Sequence, residues 1–294
     1  MALSSMNGDA IPVVMRSRND MPLIEDTLNM LDKQTVPLAL IAFDNDSQDG
    51  TRELLEKHAH QVHRVAAGTY VPGQVLNRGM EASGESRWVV FLNSDCTPAD
   101  PFWLEELAKE FDDQNTAALF GRQMPREDCA ALFAKDTEYT FGDGSRQKYW
   151  KHCFSMASSA VRRSCWEQMP FSTELQYSED IDWTWRAVQR GWDVRYAAES
   201  RVYHSHNYTL SQFARRHRGE GKAEAVIFPW SPWERSFLRY SLLPYVRQVL
   251  SDERYCLKQG DILQACYAPV LRFAQLAGRR RGFNEGMRMK EHRP

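Results

Sequence analysis

A chain of 294 residues, 43% hydrophobic and 26% charged, is sized for one large domain or a domain with an appendage. Its formal net charge of -2 gives no global attraction to nucleic acid, so no nucleic-acid partner is expected. No stretch approaches the roughly 20 apolar residues that cross a bilayer. The six cysteines, at 96, 129, 153, 165, 256 and 266, form no C-x-x-C pair and no zinc spacing, which predicts reduced thiols in a cytoplasmic protein.

The first ten residues lack a basic region followed by an apolar core and read as a flexible tail rather than a secretory signal. Residues 11–15 then form a short apolar run, the first expected strand. Asn19 and Asp20 can cap a helix starting near Pro22, with Ile24, Leu28 and Leu31 on one face. A second buried strand covers residues 36–43, a helix residues 51–58 with Leu54 and Leu55 inward, and a weaker strand residues 62–66. Residues 75–82 read as helix and 88–92 as a fourth strand. Trp103, Leu104, Leu107 and Phe111 mark another helix, and residues 117–120 close the series. Such alternation predicts an α/β fold: a Rossmann-like, mostly parallel sheet flanked by helices.

From Gly121 the texture changes. Residues 122–163 mix charges and aromatics without a clear period, suggesting a loop-rich region where a second substrate docks. An amphipathic helix over residues 178–189 and two short strands, at 194–196 and 201–203, follow. Beyond Tyr208 the chain reads as helical, with apolar stripes at 236–250 and 262–276.

Three polar clusters fall at element ends. Trp88-Val89-Val90-Phe91-Leu92 is a strand buried on both faces, and it ends in Asn93-Ser94-Asp95. Ligands of open α/β sheets sit at the carboxyl ends of strands. A carboxylate such as Asp95 there suits Mg²⁺ or Mn²⁺, though an Asp in this place also caps helices. Asp44 and Asn45 open the second cluster, where side chains can meet a base edge or ribose; a plain turn with N-capping Asp and Ser has the same composition. Arg16 and Arg18 would lie beside it if the first two strands are neighbours, and two cations there suit a diphosphate. The third cluster, residues 178–183 (SEDIDW), sets three carboxylates at a helix start. They either compensate the helix dipole or include one desolvated general base. Downstream, His204 and His206 share a strand face and can ligate a metal. Arg215, Arg216 and Arg218 follow on an expected helix, as a phosphate clamp or a solvated basic face.

The strings VMRSRN (14–19), FDNDSQDGT (43–51), LNSDCTP (92–98), SEDIDW (178–183) and VYHSH (202–206), in this order, resemble the inverting glycosyltransferases of family 2, which have the GT-A fold. The stretches GRQMPR (121–126) and HSHNYT (204–209) look most like the bacterial rhamnosyltransferase-like branch. The resemblance implies transfer of a sugar, such as rhamnose for cell-surface polysaccharide, from a nucleotide-diphosphate sugar donor to a hydroxyl of a glycan or lipid-linked acceptor. It makes Asp180 the catalytic base with Glu179 its neighbour, and Asp44 and Asn45 contacts of nucleobase and ribose. Asp95 becomes the surviving carboxylate of the D-x-D metal motif, with His204 completing the Mg²⁺ or Mn²⁺ or pyrophosphate site. Asn93 departs from the motif, because its amide carries no charge.

On this reading residues 11–222 are the GT-A domain, with 11–120 the nucleotide-sugar half and 121–222 the acceptor and catalytic half, and 223–294 is a helical C-terminal extension. Tyr139, Phe141, Tyr149, Trp150 and Trp166 are candidate sugar-stacking aromatics, and the small residues of 154–161 (FSMASSAV) a floor beneath a sugar. Trp and Arg among the C-terminal helices suit peripheral contact with the inner face of a membrane, a homodimer face or a core cover. The competing reading keeps the fold and drops the chemistry: a nucleotide- or glycan-binding module in which Asn93 marks weakened catalysis.

Overall fold

The computed structural model describes residues 10–111, 114–147 and 152–291. The expected tail lies, apart from Ala10, outside the described residues, as do Tyr149 and Trp150. The chain divides into two compact units. The first holds residues up to Arg126, then Thr137–Leu175 and Glu179–Ser205; the second holds Glu127–Asp136, Gln176–Ser178 and everything from His206.

The first unit is built on one sheet of eight strands among the described residues: β1 (Ile11–Ser17), β2 (Leu38–Asp44), β3 (Gln61–Arg64), β4 (Trp88–Asn93), β5 (Thr97–Pro98), β6 (Thr116–Met124), β7 (Ser158–Arg162) and β8 (Asp193–Tyr203). Their order is β3-β2-β1-β4-β7-β6-β8-β5. Four of the seven pairings are parallel, which makes the sheet mostly parallel as the strand-helix alternation predicts. Two strands run against the other six: β7, between β4 and β6, and β5, at the edge beside β8.

Strand burial explains the apolar runs. Along β1, Val13 and Met15 pack on one face with Ile24 and Leu28 of α1 (Leu23–Leu31) and Trp103 and Leu104 of α4 (Trp103–Ala108). Val14 points to the other face, with Val75 and Leu76 of α3 (Pro72–Ala82) and Trp183 of α7 (Glu179–Gln189). Two apolar faces need a hydrophobic side chain at nearly every position, so the strands read as continuous runs rather than alternations. The remaining helices of this part are α2 (Thr51–His58) and α6 (Arg163–Gln168).

Several expectations are corrected here. Residues 122–163 are not loop-rich throughout: α5 (Ala131–Phe141) and β7 lie within them. The two short strands near 194 and 201 are one strand, β8, broken in register opposite Gly121 and Arg122 by an irregularity that leaves residues 198–200 unpaired with β6. Phe111 lies past the end of α4, stacked on Trp88 at 4.8 Å. The boundary at 120/121 falls inside β6, and the boundary at 222/223 inside α8 (Leu210–Ile227), because both elements run on without a break.

The second unit is helical: α8, a π-helical turn at Leu238–Leu242, α9 (Leu243–Lys258) and α10 (Ile262–Glu291). A capping box at Thr209 and Gln212 starts α8. Glycines let α8 and α10 meet at backbone distance. A Cβ on Gly282 would stand 1.9 Å from the Arg218 carbonyl oxygen, and one on Gly278 2.2 Å from that of Ala214. Buried Arg272 binds Asp252 at 2.6 Å and Asp136 at 2.8 Å, so its charge is matched inside the unit.

Candidate active site

Strand register builds the site. β1 lies where strand order reverses, with β2 on one side and β4 on the other, the switch point at which open α/β sheets bind ligands. Arg16 pairs with Phe43 and with Asn93, and Ser17 with Asp44, so Arg16, Asp44 and Asn93 reach the same sheet edge. A cavity of about 340 Å³ opens there, lined by Arg16, Ser17, Arg18, Asp20, Asn45, Tyr70, Asn93, Ser94 and Asp95.

Arg16 ties the strand ends to α7. Its guanidinium donates to Asn93 Oδ1 at 3.1 Å and to Glu179 Oε1 at 3.1 Å, with Tyr70 Oη at 3.5 Å. Glu179 is buried. Its neighbour Asp180 accepts from the Met156 and Ile181 amides at 3.0 and 2.8 Å. Burial, with the Glu179 charge beside it, pushes the Asp180 carboxyl up to about 6 against the opposing pull of those amides and of Arg16. A carboxylate so placed is a usable proton acceptor near neutral pH.

Asp44 is fully buried at the β2 end. Its Oδ2 accepts from Arg52 Nε at 2.8 Å and the Ser47 amide at 3.3 Å, while Oδ1 is buried without a partner among the described residues. Such an orphaned acceptor is costly unless a ligand donor satisfies it. Backbone strain gathers at the loops around the edge. Asn19 and Asp46 sit at φ 53° and 56°.

The third part of the site is a donor set of Asp95, Cys96 and His204, whose ligand atoms lie within 4.8 Å of one another. His204 Nε2 is 3.6 Å from Asp95 Oδ2. His204 Nδ1 donates to Gln123 Oε1 at 2.6 Å, which holds the ring with Nε2 toward Asp95. Burial pushes the Cys96 thiol well above its usual range, so it stays protonated. The usable donors are a carboxylate oxygen, the type that suits Mn²⁺ or Mg²⁺, and an imidazole nitrogen.

Sequence-derived candidates fare differently. Arg16, Arg18, Asn45, Asn93, Ser94 and Asp95 come together in the cavity wall. The Ser94 hydroxyl is engaged by the Arg16 carbonyl at 2.9 Å and by Asp20. Among the described residues the donor set takes Cys96 in place of His206. His206 belongs to the second unit, its ring 5.3 Å from Tyr208. There too all three arginines, Arg215, Arg216 and Arg218, are exposed, with Arg216 held by Glu220 at 2.8 Å and Arg218 by Glu285 at 2.8 Å. Among the aromatics, Trp166 donates to Asn77 at 2.8 Å, Phe141 packs on the core, and Tyr139 is exposed beneath Arg146. Most of 154–161 is buried, with β7 forming its second half, so it is core rather than an open floor.

Asp20, Tyr70, Gln123 and Arg126 escaped the sequence reading. Asp20 was legible only as a helix cap, yet it accepts from the Arg18 amide at 2.7 Å and from Ser94; burial raises its pKa against those two bonds. Arg126 donates to the Ser205 carbonyl at 2.7 Å and to that of Asp95, fixing the loop after β4.

Residues 13–168 match the glycosyl transferase family 2 model, more than half of the chain. The chain belongs to glycosyl transferase family 2. It is 30% identical to the O-antigen chain rhamnosyltransferase WbaN of Salmonella anatum over 217 residues, 70% of this chain and 68% of the relative. To RfbN of Salmonella typhimurium, also an O-antigen chain rhamnosyltransferase, it is 28% identical over 240 residues, 77% and 75% of the two chains. Its fold is similar to that of a Pyrobaculum calidifontis mannosyltransferase solved with GDP-Man and Mn²⁺, with TM-score 0.58 and 16% identity over 90% of this chain and 74% of the other. It is also similar to the glucosyl-3-phosphoglycerate synthase of Mycobacterium tuberculosis, solved with Mn²⁺, UDP and phosphoglyceric acid, with TM-score 0.56 and 16% identity over 76% and 81%. The expected GT-A fold and glycosyltransferase activity are thereby met. Among the described residues no helix is long and apolar enough to cross a membrane.

Proposed function

We propose that this glycosyltransferase moves rhamnose, with inversion, from a nucleoside-diphosphate donor to a hydroxyl of a lipid-linked glycan during cell-surface polysaccharide synthesis at the inner face of the membrane. The observation that carries the site reading is Arg16, whose guanidinium bridges Asn93 at the β4 end and Glu179 at the α7 start. It links the strand end that lines the cavity to the start of the helix that carries the candidate base, which supports the reading. The rhamnose assignment is supported by the two Salmonella relatives.

In the reaction the acceptor oxygen attacks the anomeric carbon as the bond from that carbon to the diphosphate oxygen breaks. Asp180 takes the acceptor proton, and the diphosphate leaves with the bonding pair. Asp44 Oδ1 accepts from the base of the donor, and Arg16 and Arg18 face the diphosphate. Asp95 and His204 would hold a divalent cation, which when bound supplies positive charge opposite the leaving group. Asn93 is neutral and its oxygen accepts from Arg16, so Asp95 is the carboxylate that would hold the cation. In the second unit, Arg216 and Arg218 are already neutralised by Glu220 and Glu285.

A thermal-shift panel of nucleoside diphosphates and nucleotide sugars, with and without Mn²⁺, tests the reading. A donor at a hundred times its Kd should stabilise the fold by about 2.7 kcal/mol. Absence of any shift across all nucleotides, together with no release of nucleoside diphosphate, would overturn it.

A further inference from the structure

The exposed side of α9 pairs an apolar stripe with charge of one sign. At roughly 100° per residue, Leu243, Val246, Leu250 and Leu257 fall within an arc of about 60°. All four are exposed, Leu250 and Leu257 by 59% each. Arg247, Arg254 and Lys258 occupy the adjoining arc, of about 40°. They too are exposed, and none forms an ion pair among the described residues. The segment leading into α9 adds exposed Trp233 and Phe237 together with Arg235 and Arg239.

The acids are withdrawn from this surface. Asp252 is buried on Arg272, Asp261 accepts from the Gln264 amide at 3.0 Å, Glu234 accepts from the Ser231 hydroxyl at 2.7 Å, and Glu253 is only partly exposed. Between residues 231 and 263 every fully exposed ionisable side chain is a cation. A two-fold pairing of two copies through this face would set the cation row against itself, at an electrostatic cost. An anionic bilayer accepts both features: the leucines enter the acyl boundary, and the guanidinium groups stay at phosphate level.

We propose that α9 docks flat on an anionic lipid surface. This deepens the membrane part of the proposed function, yet rests on residues outside the site. The test is co-sedimentation of the full chain with vesicles of phosphatidylcholine alone, or with about one third phosphatidylglycerol, at low and high salt. The bound fraction should be at least about tenfold greater on the anionic vesicles and fall steeply as salt rises. Val246→Glu with Leu250→Glu should abolish binding. Because both positions are already exposed, circular dichroism and turnover on a soluble acceptor should be unchanged. Arg247→Glu with Arg254→Glu should remove the preference for anionic vesicles. Failure of the wild type to bind either vesicle, or binding undiminished in the leucine-stripe variant, would overturn the proposal. So would a dimer in sedimentation that the stripe variant dissociates. Turnover measured alongside keeps this failure apart from a failure of the glycosyl-transfer reading.

Discussion

Arg16 and Glu179 are 163 residues apart in the chain and joined by a 3.1 Å ion pair. That pair fastens the start of α7 to the end of β1 and holds a negative charge against Asp180. It helps fix where the candidate base stands, and its Glu179 charge adds to the larger effect of burial in raising the proton affinity of Asp180.

Replacing Asp180 by Asn should lower turnover by about 10²- to 10⁴-fold, the usual value of a positioned base. Donor KM should stay within a few-fold, because the base acts on the acceptor. Steady-state release of nucleoside diphosphate measures both, and unchanged turnover would remove Asp180 from the role.

The pH dependence has two opposite signs. Asp180 is raised to about 6 in the folded protein, above an unfolded carboxyl near 3.9. The native state thus holds that proton more tightly, so the group's contribution to stability is present at low pH and is lost as pH rises through about 4 to 6. Turnover needs the carboxylate and should fall below about pH 6. Glu179→Gln removes the neighbouring charge and should move this acid limb to lower pH, while burial, the larger cause, keeps it above a free Asp. A kcat–pH profile of both proteins checks the shift.

Gln123 should matter through His204. Gln123→Leu removes the acceptor that orients the imidazole, and Mn²⁺ affinity should fall about 10- to 100-fold. Gln123→Glu restores an acceptor and should recover most of it. Electron-paramagnetic titration of Mn²⁺ reads binding directly; equal affinity in all three proteins would sink the orienting role.

In the second unit, Gly282→Val forces side-chain atoms against the Arg218 carbonyl. It should cost about 1–3 kcal/mol of stability, as overpacking does, seen as a lower urea midpoint. Arg281→Ala, one residue away and exposed, is the control and should change little.

The first-unit fold was largely legible because both faces of its parallel strands are covered, which writes long apolar runs such as residues 88–92 into the chain. β7 was missed because its short stretch of small residues carries no period, and only its partners β4 and β6 make it a strand. At the site, Asp95 and Asp180 stood out because each follows or opens an element. Asp20 and Gln123 did not, since a polar residue in a loop or on a strand looks the same whether it faces solvent or a histidine. His206 misled for the converse reason: two-residue spacing predicts a shared face only while the strand continues, and β8 ends at Tyr203.

The buried thiol of Cys96, adjacent to Asp95, has a practical corollary. Held as the protonated form, it is a poor nucleophile toward alkylating agents and peroxide, so the centre should survive handling without reductant. Cys266, exposed on α10, is the cysteine such reagents meet first, and a label placed there should leave sugar transfer untouched.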